Sequence, residues 1–173
     1  GTTLDLIKIP YGDDNYFIDS PGIKSNGSII NNLSLEFIKI LNSDNNIKPI
    51  NYQLNSNQII SISNVLLFEY SYGYKQGISF YFPSVITLNR FKKENANNSF
   101  KNMIKYLKVK ENNINDYNNF KIYDFEIKEK GFFDLVIEGL GFIRLKKGKF
   151  KIYVLKDCNV FVRKSIMWGK YAK

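Results

Sequence analysis

The first fifty residues combine short apolar runs with polar turns. Residues 5–19 predict two short strands around a turn at residues 12–15, which together form a β-hairpin. A polar loop follows. A short amphipathic helix is then predicted by apolar residues at helical spacing: Leu33, Phe37, Ile40 and Leu41. The polar run at residues 43–46 indicates a domain boundary, so we expect one domain over residues 1–46 and another over residues 47–173.

From about residue 48 the apolar positions recur every second residue, which is typical of half-buried strands. The alternation predicts one long strand over residues 60–70 and another over residues 78–88, joined by a hairpin turn at residues 73–77. Residues 99–109 predict a helix whose apolar side packs on the sheet and whose other side carries lysines. A polar linker is predicted to follow at residues 112–119.

The last fifty residues alternate again, and glycines separate the runs. They predict an antiparallel meander of strands over residues 123–127, 133–137, 142–145, 150–155 and 158–162. Residues 146–149 are expected to form a basic hairpin tip, and parity places Lys149 and Lys151 on one face of a strand.

Composition changes the picture mainly through charge. The chain has 173 residues, 44% of them hydrophobic and 24% charged, which fits a globular protein of one or two small domains. Residues 1–89 carry 5 basic and 7 acidic residues, whereas residues 90–173 carry 20 basic and 9 acidic residues. The net charge of +9 therefore belongs to the C-terminal half, as expected of a segment that meets phosphate. AT-rich coding sequence would produce the same lysine and asparagine bias without any such function.

Absent residue types exclude several chemistries. The chain has no histidine, which excludes catalytic triads built on histidine and histidine-ligated metal sites. Cys158 is the single cysteine; it lies in an apolar run and is expected to be a buried structural thiol. No apolar run reaches the length of a membrane span, so the sequence predicts a cytoplasmic protein with no membrane partner.

Two short motifs near the start suggest nucleotide chemistry. Residues 19–22 read Asp-Ser-Pro-Gly directly after a predicted strand, and Thr2 and Thr3 lie upstream. In GTPases a DxxG motif at such a position contacts Mg²⁺ through water and donates a glycine amide to the γ-phosphate, and an upstream threonine completes the Mg²⁺ shell. Alone, DxxG is equally the pattern of a polar turn, so the pairing of the two motifs carries the signal.

Five segments in order resemble the C-terminal part of the YqeH-type circularly permuted GTPases, which are ribosome-biogenesis factors. These segments are GTTLDLIKIP from Gly1, FIDSPGI from Phe17, YQL from Tyr52, GLGF from Gly139 and VFVRKSI from Val160. The resemblance implies an α+β chain: a partial α/β G-domain segment made of the switch hairpin and a helix, then a mostly antiparallel β domain with one or two helices.

The resemblance also implies roles for single residues. Thr2 or Thr3 corresponds to the switch I ligand of Mg²⁺, and the sequence does not separate the two. Asp19 and Gly22 correspond to switch II, with Asp19 reaching Mg²⁺ through water. Ile23 occupies the place where many GTPases have a water-orienting glutamine, so water positioning would come from a potassium ion, a partner or the ribosome.

Other parts of the family pattern are missing from this sequence. It has no GxxxxGK[ST] loop, no NKxD motif and no zinc-ribbon cysteines. We therefore expect a fragment of a GTPase that begins inside switch I. The full-length protein would bind GTP or GDP with Mg²⁺ and would contain the rest of the GTPase domain, whereas this chain alone would be inactive and show no thermal shift with GTP and Mg²⁺.

The basic C-terminal half is expected to contact ribosomal RNA or the small ribosomal subunit. Basic residues interleaved with aromatic ones suit RNA, because cations neutralise phosphates and exposed rings stack on bases. The predicted contact residues are Arg144, Lys146, Lys147, Lys149, Lys151, Arg163 and Lys164. The alternative is a non-catalytic module that binds a protein or peptide through the same basic surface; a membrane-surface role for the helix at residues 99–109 ranks third.

Overall fold

The computed structural model describes residues 25–43, 46–95, 98, 101 and 120–165, together with the backbone of residues 7–10 and 16–19. Two five-stranded antiparallel sheets and a separate hairpin make up most of this part of the chain. The elements are β1 (Ile7–Pro10), β2 (Tyr16–Asp19), α1 (Leu35–Ser43), β3 (Ile50–Leu54), β4 (Gln58–Ile62), β5 (Leu66–Tyr72), β6 (Gln76–Tyr81), β7 (Leu88–Lys92), β8 (Phe120–Ile127), β9 (Phe133–Ile137), β10 (Gly141–Leu145), β11 (Gly148–Leu155) and β12 (Val160–Lys164).

The two sheets share one hydrophobic core. The first sheet has the strand order β12-β9-β10-β6-β3, and the second has the order β7-β4-β5-β11-β8. Phe68 on β5 meets Phe80 on β6 edge to face, with ring centroids 5.6 Å apart, and Phe68 also stacks on Phe150 of β11. These aromatic contacts join the sheets because Phe68 and Phe80 belong to different ones. The coarse prediction of a mostly antiparallel β fold with a helix is confirmed.

The predicted amphipathic helix is present as α1. Ser34 begins it by accepting a hydrogen bond from the Phe37 amide at its Oγ, at 3.3 Å. Phe37 and Leu41 are buried in the core that the sheets share, whereas Ile40 is 47% exposed. The proposed division at residue 46 stays a prediction, but the helix before it buries its apolar side against the β-rich body.

The predicted N-terminal hairpin is also present. Strands β1 and β2 pair antiparallel, and Asp19 lies opposite Ile7. This pairing establishes the hairpin. The assignment of the hairpin to a G domain stays a prediction.

The long strand predicted over residues 60–70 is wrong, because the chain turns back in the middle of it. β4 and β5 are an antiparallel pair, and Ser63 and Asn64 in the turn between them have φ values of 47° and 56°. Ile62 pairs with Leu66, so both arms keep the same parity. The alternation therefore continues unchanged through the turn and cannot reveal it.

The strand predicted over residues 78–88 is wrong for a related reason. It divides into β6 in the first sheet and β7 in the second, with Pro83 between them. Proline cannot donate to a sheet ladder, which favours a break at this position. The hairpin predicted at residues 73–77 is wrong as well, because this segment links β5 in the second sheet to β6 in the first.

The C-terminal meander is wrong in its order, although all five of its strands are present. β9, β10 and β12 belong to the first sheet, whereas β8 and β11 belong to the second. The basic turn at residues 146–149 therefore crosses between sheets and is not a hairpin tip. The parity of β11 is confirmed, since Phe150 and Ile152 are buried while Lys149 and Lys151 lie on the other face.

The helix predicted at residues 99–109 and the linker predicted at residues 112–119 lie outside the described residues, except for Lys101, which is helical and exposed. Within the described segments, no helix combines the length and apolar character that crossing a bilayer requires.

Candidate nucleic-acid interface

Three connections between strands lie close together at one end of the fold, and they carry exposed lysines. The first is residues 72–75, which begin with the last residue of β5 and lead to β6. The second is residues 128–132 between β8 and β9. The third is residues 146–149, which follow β10 and end with the first two residues of β11. We call these three segments together the basic end. All three connections cross between the sheets, since β5, β8 and β11 belong to the second sheet and β6, β9 and β10 to the first, so their proximity depends on the sheet topology.

Gln76 fastens two of these connections to each other. Its side-chain amide nitrogen donates to the Lys147 carbonyl oxygen at 3.1 Å, and its amide oxygen accepts from the Lys146 backbone nitrogen at 2.8 Å. The same nitrogen donates to the Tyr70 hydroxyl at 2.9 Å. One side chain therefore satisfies backbone groups of residues 146–149, which we call the lysine turn, and holds that turn against β6.

Gly73 lets the chain pass directly over Tyr70. A Cβ atom at this position would lie 2.1 Å from the Tyr70 hydroxyl oxygen, and the glycine has a φ of 148°. Tyr70 is itself buried and stacks on Phe150 with ring centroids 5.1 Å apart. The loop that carries Tyr74 is thus seated on a rigid aromatic core.

A cleft of about 300 Å³ opens between the connections, and we call it the tyrosine cleft. Its walls include the rings of Tyr72 and Tyr74, which are 69% and 82% exposed. The Lys147 ammonium lies 5.7 Å from the centroid of the Tyr74 ring. The other polar side chains that line the cleft are Glu126, Lys128 and Lys149.

A second cleft, of about 330 Å³, adjoins the first and shares Lys147 with it. Phe132 lines this second cleft together with Lys130 and Lys146. The Lys146 ammonium lies 4.9 Å from the centroid of the Phe132 ring, which is half-buried. Exposed lysines and aromatic rings therefore line two clefts that share Lys147.

The structure brings some of the predicted contact residues together and separates others. Lys146, Lys147 and Lys149 lie at the basic end. Lys164 lies beside it, because the amide of the next residue, Ser165, donates to the Phe132 carbonyl oxygen at 3.0 Å. Arg163 and Lys151 lie farther along their strands.

Several of these cations already have acidic neighbours. Lys149 lies 3.8 Å from Glu126, and Lys151 lies 3.3 Å from Asp124. Such exposed pairs are weak and leave their cations able to meet a phosphate. The third pair differs, because Arg163 lies 3.7 Å from Asp134, which is fully buried.

Arg144 is buried and contacts an aromatic ring where a surface position was expected. Its side chain is 7% exposed, and the guanidinium carbon lies 4.0 Å from the centroid of the Phe132 ring. Within residues 120–165 and the other described segments, its Nε and Nη2 atoms have no hydrogen-bond partner. Arg144 therefore supports the ring that lines the second cleft.

Sequence reasoning missed the aromatic and loop residues of the site. Tyr72, Tyr74 and Phe132 were absent from the predicted contacts, as were Lys128 and Lys130. The available signal was the glycine next to each of these aromatic residues, Gly73 beside Tyr72 and Tyr74 and Gly131 beside Phe132, since a large ring beside a glycine turn has little core to enter.

The remaining nucleotide-site predictions fall mostly outside the described residues. Thr2, Thr3 and Gly22 lie outside them, and Asp19 is the last residue of β2, of which only the backbone is described. Among the described residues, no three acidic or cysteine side chains group as a metal site.

Outside the basic end, Glu69 is a buried carboxylate at the centre of the second sheet. It accepts hydrogen bonds from Lys93 at 2.7 Å, from the Tyr153 hydroxyl at 2.6 Å and from Ser71 at 3.0 Å. Burial acts to raise the pKa of Glu69, but these hydrogen bonds outweigh it and lower the pKa. The Glu69 carboxylate therefore has hydrogen-bond donors at both oxygens, and together with these donors it forms a structural cluster.

Comparison with known proteins identifies the family. Residues 75–166 match the family described as YqeH-like, C-terminal, and these residues include β6 to β12. The chain is also similar to the uncharacterized protein YqeH of Bacillus subtilis (strain 168), with 30% identity over 171 residues. That alignment covers 96% of this chain and 46% of the relative, so the chain spans about half of the relative's length. The chain therefore belongs to the YqeH-like family.

Proposed function

We propose that the chain is the RNA-binding portion of a YqeH-type GTPase that assists assembly of the small ribosomal subunit. The observation that supports the proposal is the basic end, where three connections present lysines and aromatic rings on one surface. Family membership supports the GTPase context. GTP or GDP, Mg²⁺ and the rest of the GTPase domain would belong to the whole protein.

Electrostatics favours RNA as the partner of this surface. Lys128, Lys130, Lys146 and Lys147 are all exposed on neighbouring connections. Lysines placed this way attract a polyanion and release its bound counterions on contact, which supplies most of the affinity for a phosphate backbone. Two acidic residues oppose this field: Glu129 in the basic end itself and Glu126, which lines the tyrosine cleft from β8.

The switch assignment is a second part of the proposal. Asp19 would contact Mg²⁺ through water, Gly22 would donate its amide to the γ-phosphate, and Thr2 or Thr3 would ligate Mg²⁺ in the whole protein. The β1–β2 hairpin is compatible with this role because β2 ends at Asp19, three positions before Gly22 in the sequence. A change of nucleotide state would then reorder the segment that follows and move the β-rich body.

A salt series on the purified chain tests the RNA assignment. Small-subunit ribosomal RNA is titrated by fluorescence anisotropy, and the logarithm of the association constant is plotted against the logarithm of salt concentration. Each phosphate contact contributes a slope of about −0.7 to −0.9, so several contacts give a steep line. The doubly substituted chain with Lys146→Ala and Lys147→Ala is expected to lose about 1.4 to 1.8 of that slope.

A matched control removes the same charge elsewhere. Lys39 on α1 and Lys48 before β3 are exposed and lie outside the basic end, so their double alanine variant is expected to keep the slope of the parent chain. Equal losses in the two double variants would mean that net charge matters and the basic end does not. No binding at low salt, or tighter binding of an acidic peptide than of RNA, would favour the protein-binding alternative.

A further inference from the structure

We propose that the tyrosine cleft holds an unpaired base of single-stranded RNA, stacked on the rings of Tyr72 and Tyr74. This inference rests on the proposed RNA-binding function and deepens it by naming the class of RNA. It is carried by the two exposed rings, by the lysines that surround them and by the way the loop is anchored.

The two tyrosines of the cleft are largely exposed to solvent. Tyr72 and Tyr74 are 69% and 82% exposed, while most aromatic residues of the sheets lie at least partly in the core. Exposed aromatic faces are apolar surface that a planar ligand can cover, and tyrosine loses little side-chain entropy when it does so. The structure therefore places two exposed tyrosines on the walls of one cleft, where a planar ligand can reach their rings.

The connection that carries Tyr74 is held in place by hydrogen bonds and by close packing. The Tyr70 hydroxyl donates to the Tyr74 carbonyl oxygen at 2.5 Å, and Gln76 links Tyr70 to the lysine turn. Gly73 fits over the Tyr70 ring with no space for a side chain. A loop fixed before binding loses less freedom when a ligand arrives, so stacking on Tyr74 is more favourable than on a mobile loop.

The neighbouring charges indicate which planar ligand fits. Lys128, Lys147 and Lys149 line the same cleft, so a ring that enters it would sit between cations. A nucleotide in an RNA strand matches the rings and the lysines together, because it has a planar base and a phosphate on each side. The volume of about 300 Å³ is at the small end of ligand-sized clefts, which suits one base and not a larger ring system.

The cleft selects against duplex RNA. Paired bases are stacked on one another inside a helix, so their faces are closed to a protein ring, and unpaired bases in loops and single strands are the ones that stack on aromatic side chains. A duplex could still contact the lysines through its phosphates. The proposal therefore predicts that the single strand binds more tightly, although the duplex has the higher charge density.

The test compares two RNA probes at the same salt concentration. One is a single-stranded oligoribonucleotide of about 12 nucleotides, within the usual site size of such modules, with 2-aminopurine in its centre. The other is the blunt duplex of the same sequence. We expect the single strand to bind about tenfold more tightly, with a change in 2-aminopurine fluorescence that reports stacking.

Two double variants separate stacking from charge. The variant with Tyr72→Leu and Tyr74→Leu keeps apolar side chains at exposed positions and is expected to lose about tenfold or more in affinity for the single strand, together with the fluorescence change. The variant with Tyr72→Phe and Tyr74→Phe keeps both rings and is expected to bind like the parent chain. Circular dichroism of each variant checks that the fold is retained.

The outcomes distinguish the two proposals. Equal affinity for single strand and duplex, or leucine variants that bind like the parent, would overturn the stacking inference and leave RNA binding by the basic end in place. Absence of binding to both probes at low salt would overturn both. Displacement of the single strand by an acidic peptide at lower concentration than by unlabelled RNA would show that the cleft serves a protein ligand.

Discussion

The Tyr70 hydroxyl donates a hydrogen bond to the carbonyl oxygen of Tyr74, four residues along the chain, at 2.5 Å. Tyr70 belongs to the core, while Tyr74 is exposed in the connection between the sheets. A core residue therefore holds the backbone of the connection that carries a surface ring, and the stability of the fold is coupled to the geometry of the candidate site.

The variant Tyr70→Phe tests that coupling. It removes the donor to Tyr74 and the acceptor for Gln76, and leaves the ring that stacks on Phe150. We expect the free energy of unfolding to fall by about 1–2 kcal/mol and RNA affinity to fall with it, as measured by urea denaturation and anisotropy. The exposed Tyr72→Phe serves as control and should leave stability unchanged; equal loss in both variants would contradict the coupling.

Gly73→Ala should be more damaging than Gly131→Ala. Both glycines have positive φ, of 148° and 122°, so both variants introduce backbone strain. Only at Gly73 would the new Cβ collide with an atom, the Tyr70 hydroxyl oxygen, whereas nothing lies within 4 Å of it at Gly131. We expect Gly73→Ala to lower the midpoint of thermal unfolding further, with an excess loss of about 1–3 kcal/mol in urea. Similar losses would show that the close approach carries no energetic weight.

The cluster around Glu69 predicts a stability profile with pH. The lowered pKa of Glu69 means that its stabilising contribution is present above its usual value of 4.5 and is lost as the pH falls through the folded-state pKa. Burial, and then the hydrogen bond to Glu69, raise the pKa of Tyr153 above its usual value of 10.0, so its contribution is present below that pH and is lost as the pH rises above it.

Urea denaturation at a series of pH values measures this profile. Tyr153→Phe removes one hydrogen bond to a buried carboxylate, so we expect a loss of about 1.5–3 kcal/mol at neutral pH. We also expect the acid limb of the profile to move to higher pH, because Glu69 loses a donor that lowers its pKa. An unchanged acid limb would mean that Tyr153 does not tune Glu69.

The Cys158 thiol should be unreactive in the folded protein. It is fully buried, and burial raises its pKa to about 11, so little thiolate forms at neutral pH. Modification by a maleimide, followed by mass spectrometry, is expected to proceed only as fast as the chain unfolds. Chain unfolded in guanidinium is the control and should react at once; rapid reaction of the folded chain would contradict the assigned burial.

Glu126→Gln should strengthen RNA binding. Glu126 lines the tyrosine cleft and lies 3.8 Å from both Lys128 and Lys149. Removal of its charge frees two cations for phosphate, so we expect about two- to threefold tighter binding at low salt and little difference at high salt. Glu36→Gln on α1 removes the same charge away from the basic end and should change affinity less.

The alternation of apolar residues was enough to predict the strands but not where some of them ended. All five strands of the C-terminal part, β8 to β12, lie close to where the pattern placed them. The turn between β4 and β5 could not be detected from the alternation, because Ile62 lies opposite Leu66 and the apolar residues keep the same parity on both strands. The lysines of β11 were placed on the correct face because the alternation also fixes which face of a strand each residue occupies.

Sheet membership could not be read from the chain in the same way. A turn of a few residues looks the same whether it joins two paired strands or carries the chain from one sheet to the other. β5 lies between β4 and β11, and β6 lies between β10 and β3, so neither strand has a free edge for the other. The pairing of β5 with β11 and the pairing of β6 with β10 depend on contacts between residues far apart in sequence. Short-range patterns do not encode such contacts.

The sequence by itself determined the β-rich class, the helix at α1, the family and the excess of lysine in the C-terminal half. These follow from local periodicity, from motifs and from composition. The tertiary structure decided which cations and rings share a surface: it brought residues 72–75 to the lysine turn, buried Arg144 under Phe132 and left Tyr72 and Tyr74 in solvent. The physical reason is that a binding surface depends on which distant strands pair, and pairing is settled only when the two sheets close around one core.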